Sequence, residues 1–359
     1  LNNENITLSD VAIAPTLSSP TFDISNLNTL DGYTLGLVNT SKVETISGYL
    51  ADLLTSYQSL GIINLGNDSI TLRNSNKDAT GSVAASDLTT LATLNNLGSI
   101  DARIDASSVS EIYGTAEEII AVYADLTITE PLNVNLTVNS GTVSVSQSRS
   151  LNSFTGGIVT GTITPGTTIA EMVDSSSGLT ETTNAYTITV SSADAQATAS
   201  DLTFLYQTTT APVDASAVTN ITGTIAGVVA VYEAGTSEII GIGSETIITI
   251  DTTDVSVTGL NFLNDSTTGV IDASSIEELA SGTISDLNTM LTAGNDPSSF
   301  SSDSFSQLSK VVLSDNVLSV IDLNGSIEQA NQATSGTITK FEKGTSFDSA
   351  KSSFVRTYL

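Results

Sequence analysis

The 359-residue chain lacks Cys, His and Trp altogether. Those absences exclude a disulfide framework, thiolate and imidazole metal sites, and catalysis that depends on Cys or His. Basic residues are also scarce: 10 Lys and Arg stand against 39 Asp and Glu, which gives a formal net charge of −29 at pH 7. Such a charge opposes nucleic acids and anionic membrane surfaces, because phosphate recognition requires clustered Lys and Arg.

The composition nevertheless predicts a folded protein. Charged residues make up 14% of the chain and the mean hydropathy is +0.17, whereas disordered acidic segments combine high charge with few aliphatic residues. Ser and Thr together occupy 105 positions, so the polar surface is expected to be rich in hydroxyl groups. No apolar run approaches the roughly 18 to 20 residues that a membrane-spanning helix requires, so we expect no membrane-spanning segment.

Internal repetition is the most informative feature of the sequence. The phrase apolar-Asp-Ala-Ser occurs at residues 104–107, 213–216 and 271–274, with degenerate copies at residues 38–41 and 159–162. Their second residues lie 66, 55, 54 and 58 positions apart in chain order, which indicates a period near 58. A fixed period is typical of repeat architectures in which neighbouring units supply each other's buried surface.

Helical patterns follow several of these phrases, at residues 114–123, 223–232 and 282–291. Thr115 lies three residues before Glu118, and Thr283 lies three residues before Asp286. This is the spacing of a capping box, in which a hydroxyl and a carboxylate bind backbone amides that the first helical turn leaves unpaired. The sequence therefore predicts helices that begin at these threonines.

The strands are predicted from a different pattern. Partly alternating β-branched residues at 186–190 and 246–250 are typical of a sheet with one face on a core and one in water. Together the patterns predict an α/β or β-rich repeat fold, a solenoid of strand, short helix, strand and helix in units of about 58 residues. The alternative is a string of small β-sandwich domains. The least regular stretch, residues 127–178, alternates strictly at residues 142–146 and favours a β-hairpin or an insertion.

These patterns divide the chain into five segments. We expect an N-terminal strand and linker, a repeat region, an irregular β-rich repeat or insertion, a second repeat region, and a C-terminal cap or assembly tail, at residues 1–22, 23–126, 127–198, 199–330 and 331–359. The end of the chain, residues 340–359, holds four bases and two acids, and so carries +2 on a strongly negative chain. It is interpreted either as a solvated cap or as a segment that docks on the acidic face of another copy. The N-terminal strand at residues 5–10 is a candidate for donation to an open sheet edge of another copy.

The succession of Asp-Ala-Ser, Gly-Thr, an Ala/Ile/Val helix ending in Val-Tyr, and an Ile-Thr-Ile-Asp strand resembles repeats in very large secreted or cell-surface proteins of marine cyanobacteria and related bacteria. The resemblance covers most of residues 23–320 and is clearest at residues 199–294. It implies a secreted structural or adhesive role and supplies no catalytic residues.

The negative charge is concentrated between Arg149 and Lys310, where the intervening stretch contains 18 Asp and Glu and no base. Carboxylates there are expected to be solvated, to cap helices and turns, or to bind hard cations such as Ca²⁺, which takes oxygen ligands. Capping is the favoured interpretation, because the sequence has no EF-hand loop and no calcium nonapeptide. The candidate Ca²⁺ ligands are the acids of the Asp-Ala-Ser phrases and two acids that close one strand, namely Asp105, Asp214, Asp251, Asp254 and Asp272.

The sequence favours a structural role over catalysis. No pair of carboxylates is singled out for glycoside hydrolysis, and aromatic residues make up 5% of the chain, so platforms for sugar stacking are scarce. We therefore expect an extracellular structural repeat protein, not an enzyme: a subunit of a surface filament, sheath or layer such as an S-layer, or an adhesin segment. Its expected partners are copies of itself and cell-surface glycans, and Ca²⁺ is its one candidate cofactor. The alternative function is a viral tail fibre or receptor-binding appendage.

Overall fold

The computed structural model of the protein describes residues 22–73, 81–95, 102–129, 133–180, 183–313 and 340–343. Within these residues the fold is mixed α/β, with ten α-helices and parallel β-sheets. The chain divides into two compact units, residues 1–164 with 183–186 and residues 165–182 with 187–359. The α/β class predicted from the sequence is confirmed.

The described part of the first unit contains five helices, and each packs on the next along the chain. The helices are α1 Ile24–Tyr33, α2 Leu50–Gln58, α3 Ala85–Asn95, α4 Ala116–Ala124 and α5 Val145–Phe154. The strands are β1 Phe22–Asp23, β2 Val38–Asn39, β3 Thr45–Gly48, β4 Ile62–Ile63, β5 Ser69–Leu72, β6 Ser82–Ala84, β7 Ile104–Asp105, β8 Glu111–Gly114, β9 Ile128–Thr129, β10 Asn135–Val138, β11 Val159–Thr162 and β12 Ala185–Thr187. They form one sheet in the order β1-β3-β5-β7-β9, another in the order β6-β8-β10-β11-β12, and the pair β2-β4.

Apolar residues stand side by side across these sheets. Parallel pairing places the following residues in one row of the first sheet: Phe22, Ile46, Ile70, Ile104 and Ile128. The row in the second sheet consists of Val83, Ile112, Leu136 and Val159. Apart from Phe22, every one of these side chains is at most 4% exposed. Burial of such in-register aliphatic side chains, together with the apolar faces of the helices, stabilises the unit.

The second unit repeats this construction. Its described helices are α6 Ile169–Val173, α7 Ala199–Gln207, α8 Ile225–Ala234, α9 Val257–Ser266 and α10 Ile284–Gly294, again packed in succession. The strands are β13 Gln196–Thr198, β14 Val213–Asp214, β15 Asn220–Gly223, β16 Ile239–Ile240, β17 Thr246–Thr249, β18 Val255–Ser256, β19 Ile271–Asp272, β20 Glu278–Gly282, β21 Lys310–Leu313 and β22 Lys340–Lys343. Their sheet orders are β13-β15-β17-β19, β14-β16 and β18-β20-β21-β22. A buried row of in-register residues crosses the first of these sheets at Ala197, Ile221, Ile247 and Ile271.

Ser or Thr hydroxyl groups cap most of the described helices, including the two helices whose caps the sequence predicts. The Thr115 Oγ1 atom accepts a hydrogen bond of 3.2 Å from the Glu118 amide, and Glu118 Oε2 accepts one of 2.8 Å from the Thr115 amide. The same exchange joins Thr283 and Asp286, so both predicted capping boxes are confirmed. Further Ser and Thr caps, which accept a backbone amide of the first turn, occur at Ser144, Thr168, Thr198, Thr224 and Ser256.

A turn in which a side-chain hydroxyl or carboxylate accepts a hydrogen bond from a backbone amide also follows most of the described helices. At the end of α2, Ser59 Oγ accepts a hydrogen bond of 3.0 Å from the Gly61 amide, two residues further on. The same turn closes α5, where Thr155 Oγ1 accepts from the Gly157 amide at 2.9 Å. Equivalent turns follow other helices at Thr34, Asp125, Asp174, Thr209 and Thr267. The abundance of Ser and Thr is therefore used at both ends of the helices.

The β-hairpin predicted within residues 127–178 is absent at the alternating residues 142–146, so that prediction is wrong there. Val145 begins α5, because Ser144 caps the helix and Gln147 completes a capping box with it. The alternating Val and Ser residues thus lie at a helix start, where a cap three residues before Gln decides the local structure. The strands on either side, β10 and β11, pair in parallel.

Small β-sandwich domains, the alternative fold, are built from antiparallel sheets. The sheets of both units are built from parallel strand pairings, so this alternative does not describe them. None of the described helices combines the length and apolar character needed to cross a membrane.

Two predicted segments lie largely outside the described residues. They are the N-terminal strand and linker at residues 1–22 and the C-terminal segment at residues 331–359. Within the latter, β22 pairs with β21 through the backbone, with Lys340 opposite Lys310. The remaining segment boundaries stay predictions.

Candidate functional site

Three of the five candidate Ca²⁺ ligands form the turns of the Asp-Ala-Ser phrase. Asp105, Asp214 and Asp272 each accept a hydrogen bond of 3.0 Å at Oδ1 from the amide of the serine two residues further on. Asn39 does the same for Ser41 in a degenerate copy, although an amide oxygen carries no charge. The geometry is that of an Asx turn, which satisfies a backbone donor without a cation.

Strand register separates these acids from one another. Asp105 stands opposite Thr71 on one side and Thr129 on the other. In the second unit, Asp214 stands opposite Ile240, and Asp272 stands opposite Ile248. Columns of stacked carboxylates, which a simple 58-residue register would produce, are therefore not formed at these positions. The described residues contain no group of three or more Asp or Glu that could hold a metal ion.

The other two candidates, Asp251 and Asp254, lie together in one groove of the second unit. The groove encloses about 630 Å³ and runs between α8 and α9. Asp251 Oδ2 accepts a hydrogen bond of 2.6 Å from the Ile225 amide, so this carboxylate also binds the first turn of α8. Asp254 is exposed and has a positive φ of 55°, a conformation that Asp and Asn tolerate better than most residues.

Acidic and apolar groups share the lining of this groove, which we call the acidic groove. Glu233 of α8 contributes a third carboxylate. Val229 and Phe262 supply apolar surface, and the Phe262 side chain is 36% exposed. The wall is therefore suited to a ligand that presents an apolar group together with positive charge.

A second groove lies on the other side of α8, against α7, and differs in charge. It encloses about 520 Å³, and Phe204, Ala230 and Ile250 contribute its apolar lining. No Asp, Glu, Lys or Arg of the described residues lines it. We call it the neutral groove. Comparison of binding at the two grooves therefore distinguishes the contribution of apolar contact from that of charge.

Three exposed leucines in turns of the first unit were not predicted from the sequence. Leu35, Leu60 and Leu126 are 80%, 94% and 87% exposed, and each is the middle residue of the turn that follows a helix. In the second unit the same turn position holds Thr210 and Thr268. We call the three leucines the leucine edge. The signal in the sequence is Thr-Leu-Gly, Ser-Leu-Gly and Asp-Leu-Thr, which places Leu between two turn residues and away from the core.

Buried carboxylates form a different kind of site inside each unit. Asp68, which is 2% exposed, accepts hydrogen bonds from the Tyr57 hydroxyl and the Gly66 amide. Burial raises the pKa of Asp68 above its usual value, and the hydrogen bonds from Gly66 and Tyr57 lower it in part. Burial likewise raises the pKa of Tyr57, and the neighbouring charge of Asp68 adds to the effect.

The second unit has a counterpart at Glu245, which is 1% exposed. Its Oε2 atom accepts a hydrogen bond of 2.7 Å from the Tyr232 hydroxyl, and both oxygens accept from the Gly243 amide. Burial raises the pKa of Tyr232. Both carboxylates therefore hold a loop against the tyrosine of a helix, which is a structural role.

No protein-family model matches the chain, and no curated protein shows significant sequence similarity to it. The residues and their geometry are therefore the basis for assigning a function.

Proposed function

We propose that the chain is an extracellular, non-catalytic structural repeat protein that assembles with copies of itself into a surface filament, sheath or layer, or acts as an adhesin segment. The observation that carries the proposal is the leucine edge, because three leucines exposed by 80% or more at equivalent turns provide an apolar surface for self-association. The location outside the cell rests on the sequence resemblance.

The spacing of the helices supports a repeated coil within each unit. Helices of the first unit begin at positions 24, 50, 85, 116 and 145, and those of the second unit begin at positions 169, 199, 225, 257 and 284. Successive starts are thus separated by close to half of the period near 58, so the proposed solenoid has one helix per coil and two coils per sequence repeat. Parallel strand rows and the recurring helix-end turn agree with this arrangement.

The exposed carboxylates are proposed to bind cations weakly and collectively, without one defined site. The stretch between Arg149 and Lys310 contains no base, and most candidate acids already bind a backbone amide through one oxygen. Ca²⁺ would therefore screen repulsion between exposed carboxylates rather than complete a cage. Cell-surface glycans are the second proposed partner, through the hydroxyl-rich surface.

Assembly is measured by sedimentation velocity and negative-stain microscopy of the purified chain, with Ca²⁺ and with a chelator. We expect filaments or sheets for the natural sequence. A Leu35→Gln, Leu60→Gln, Leu126→Gln variant should assemble less, because it removes the leucine edge without touching the core. The matched control, Thr210→Gln with Thr268→Gln, alters the same turn position and should assemble like the natural chain.

Two outcomes would contradict the proposal. A chain that stays monomeric with Ca²⁺ and with chelator would contradict self-assembly. Discrete trimers would favour the viral appendage instead. Equal assembly of the leucine and threonine variants would show that the leucine edge carries no part of the contact.

A further inference from the structure

We infer that the acidic groove between α8 and α9 is a docking site for the C-terminal segment, residues 344–359, of a second copy of the chain. The inference rests on the proposed self-assembly and names one contact within it. Its basis is the complementarity of charge and apolar surface between a groove that the structure describes and a segment that lies outside the described residues.

The groove presents carboxylates to solvent where no base of its own stretch can neutralise them. Glu233 and Asp254 line it, and the nearest bases in the sequence are Arg149 and Lys310. Asp251 is partly occupied by its hydrogen bond to the Ile225 amide. A cationic ligand therefore gains favourable interaction with the other two carboxylates, and the field of the surrounding acidic stretch steers it to this face.

The segment supplies the matching groups in a short sequence. Lys351 precedes Phe354 by three residues and Arg356 follows it by two, so one aromatic side chain stands between two bases. Phe347 and Tyr358 lie further out on either side, and Asp348 is the segment's one acid. An apolar anchor between two cations is the complement of Phe262 and Val229 among carboxylates.

The groove itself is large enough for such an anchor. A volume of about 630 Å³ lies within the range of sites that take small ligands or single side chains of a partner. The neutral groove has a similar size and its own apolar lining but no charged lining residue among those described, so it should take the segment much less well. The segment should therefore prefer the acidic groove because of its carboxylates, since both grooves offer apolar surface.

The experiment uses single cysteines in the full chain, which has none of its own. A Thr258→Cys variant places a thiol in the acidic groove, and a Ser353→Cys variant places one beside Phe354. The two variants are mixed under mild oxidation, and the disulfide-linked pair is measured on a non-reducing gel. The matched control replaces Thr258→Cys by Ser200→Cys, which occupies the same position after the cap of α7 and lines the neutral groove.

We expect the Thr258→Cys and Ser353→Cys mixture to form several times more linked pair than the control mixture. Adding Glu233→Gln and Asp254→Asn should lower the yield about fivefold, which corresponds to about 1 kcal/mol for the two lost surface charge pairs together. Asn at position 254 keeps the positive φ accessible, so the fold is retained. High salt should lower the yield in the same direction.

Three results would overturn the inference: no linked pair, equal pairs in the two mixtures, or no effect of the two neutralising substitutions. A chain carrying both Thr258→Cys and Ser353→Cys that closes on itself without linking copies would also overturn it. Sedimentation of the natural chain keeps the two claims apart. If that chain assembles and the linked pair is absent, this docking contact fails and the proposed function stands; if it does not assemble, the proposed function fails.

Discussion

Asp68 and Asn95 exchange two hydrogen bonds across 27 residues of sequence. The Asp68 amide donates to Asn95 Oδ1 at 3.0 Å, and Asn95 Nδ2 donates to the Asp68 carbonyl oxygen at 2.8 Å. The Tyr57 hydroxyl lies 3.0 Å from Asp68 Oδ2 and 2.9 Å from Asn95 Oδ1. These side chains join the end of α2, the following loop and the end of α3, so the network connects successive helices.

Asp68→Asn should change the pH dependence of stability. The folded pKa of Asp68 is raised, so the folded protein binds this proton at higher pH than the unfolded chain does. Asp68 therefore lowers the free energy of unfolding at pH values above its folded pKa. This destabilisation disappears as the pH falls towards the ordinary pKa of 3.8. We expect the free energy of unfolding of Asp68→Asn, relative to that of the natural chain, to increase as pH rises from 4 to 7 in urea titrations.

Asp174→Asn provides the control with the opposite sign. Hydrogen bonds from Ser176 and Ser177 hold the pKa of the exposed Asp174 well below its usual value. Its contribution favours folding above pH 3.8 and is lost as pH falls through the lowered pKa, so the variant should lose stability most at neutral pH. Parallel pH profiles for the two variants would contradict the prediction.

Tyr232→Phe should destabilise the second unit. The substitution removes the 2.7 Å hydrogen bond to Glu245, a carboxylate that is 1% exposed. Loss of a hydrogen bond to a buried charged group costs about 2 kcal/mol. Tyr33→Phe is the control, because the Tyr33 side chain is 71% exposed, and it should be nearly neutral in the same urea titration. Equal stability of the two variants would show that the Glu245 contact contributes little.

Local signals predicted much of this fold, and long-range partners could not be predicted. Thr115 and Glu118 lie three residues apart, so their capping box is visible in the sequence. Asn95 reaches Asp68 through stacking of successive helices, a distance that no short motif encodes. Of the five candidate ligands, the sequence placed Asp251 and Asp254 beside each other, but the α8 amide bound by Asp251 lies 26 residues earlier in the chain.

Gly157→Ala should destabilise the first unit. A Cβ atom at Gly157 would lie 2.7 Å from the carbonyl carbon of Val134 and closer still to its oxygen, where a folded backbone has little room to move. Overpacking of this kind costs about 1 to 3 kcal/mol. Gly32→Ala is the control, since nothing lies within 4 Å of its Cβ position in α1, and Ala should stabilise the helix by about 0.5 to 1 kcal/mol. Thermal unfolding that moved both variants in the same direction would contradict the packing argument.

Substitutions at Asp214 distinguish a turn from a cation ligand. Asp214→Ala removes the acceptor for the Ser216 amide and should cost about 1 kcal/mol. Asp214→Asn keeps an oxygen at the same place, as Asn39 does for Ser41, and should be close to neutral. Because the turn needs an acceptor and not a charge, both differences should be the same with Ca²⁺ and with a chelator in thermal unfolding. Stability of the natural chain that rose with Ca²⁺, with the gain lost in Asp214→Asn, would instead assign Asp214 as a ligand.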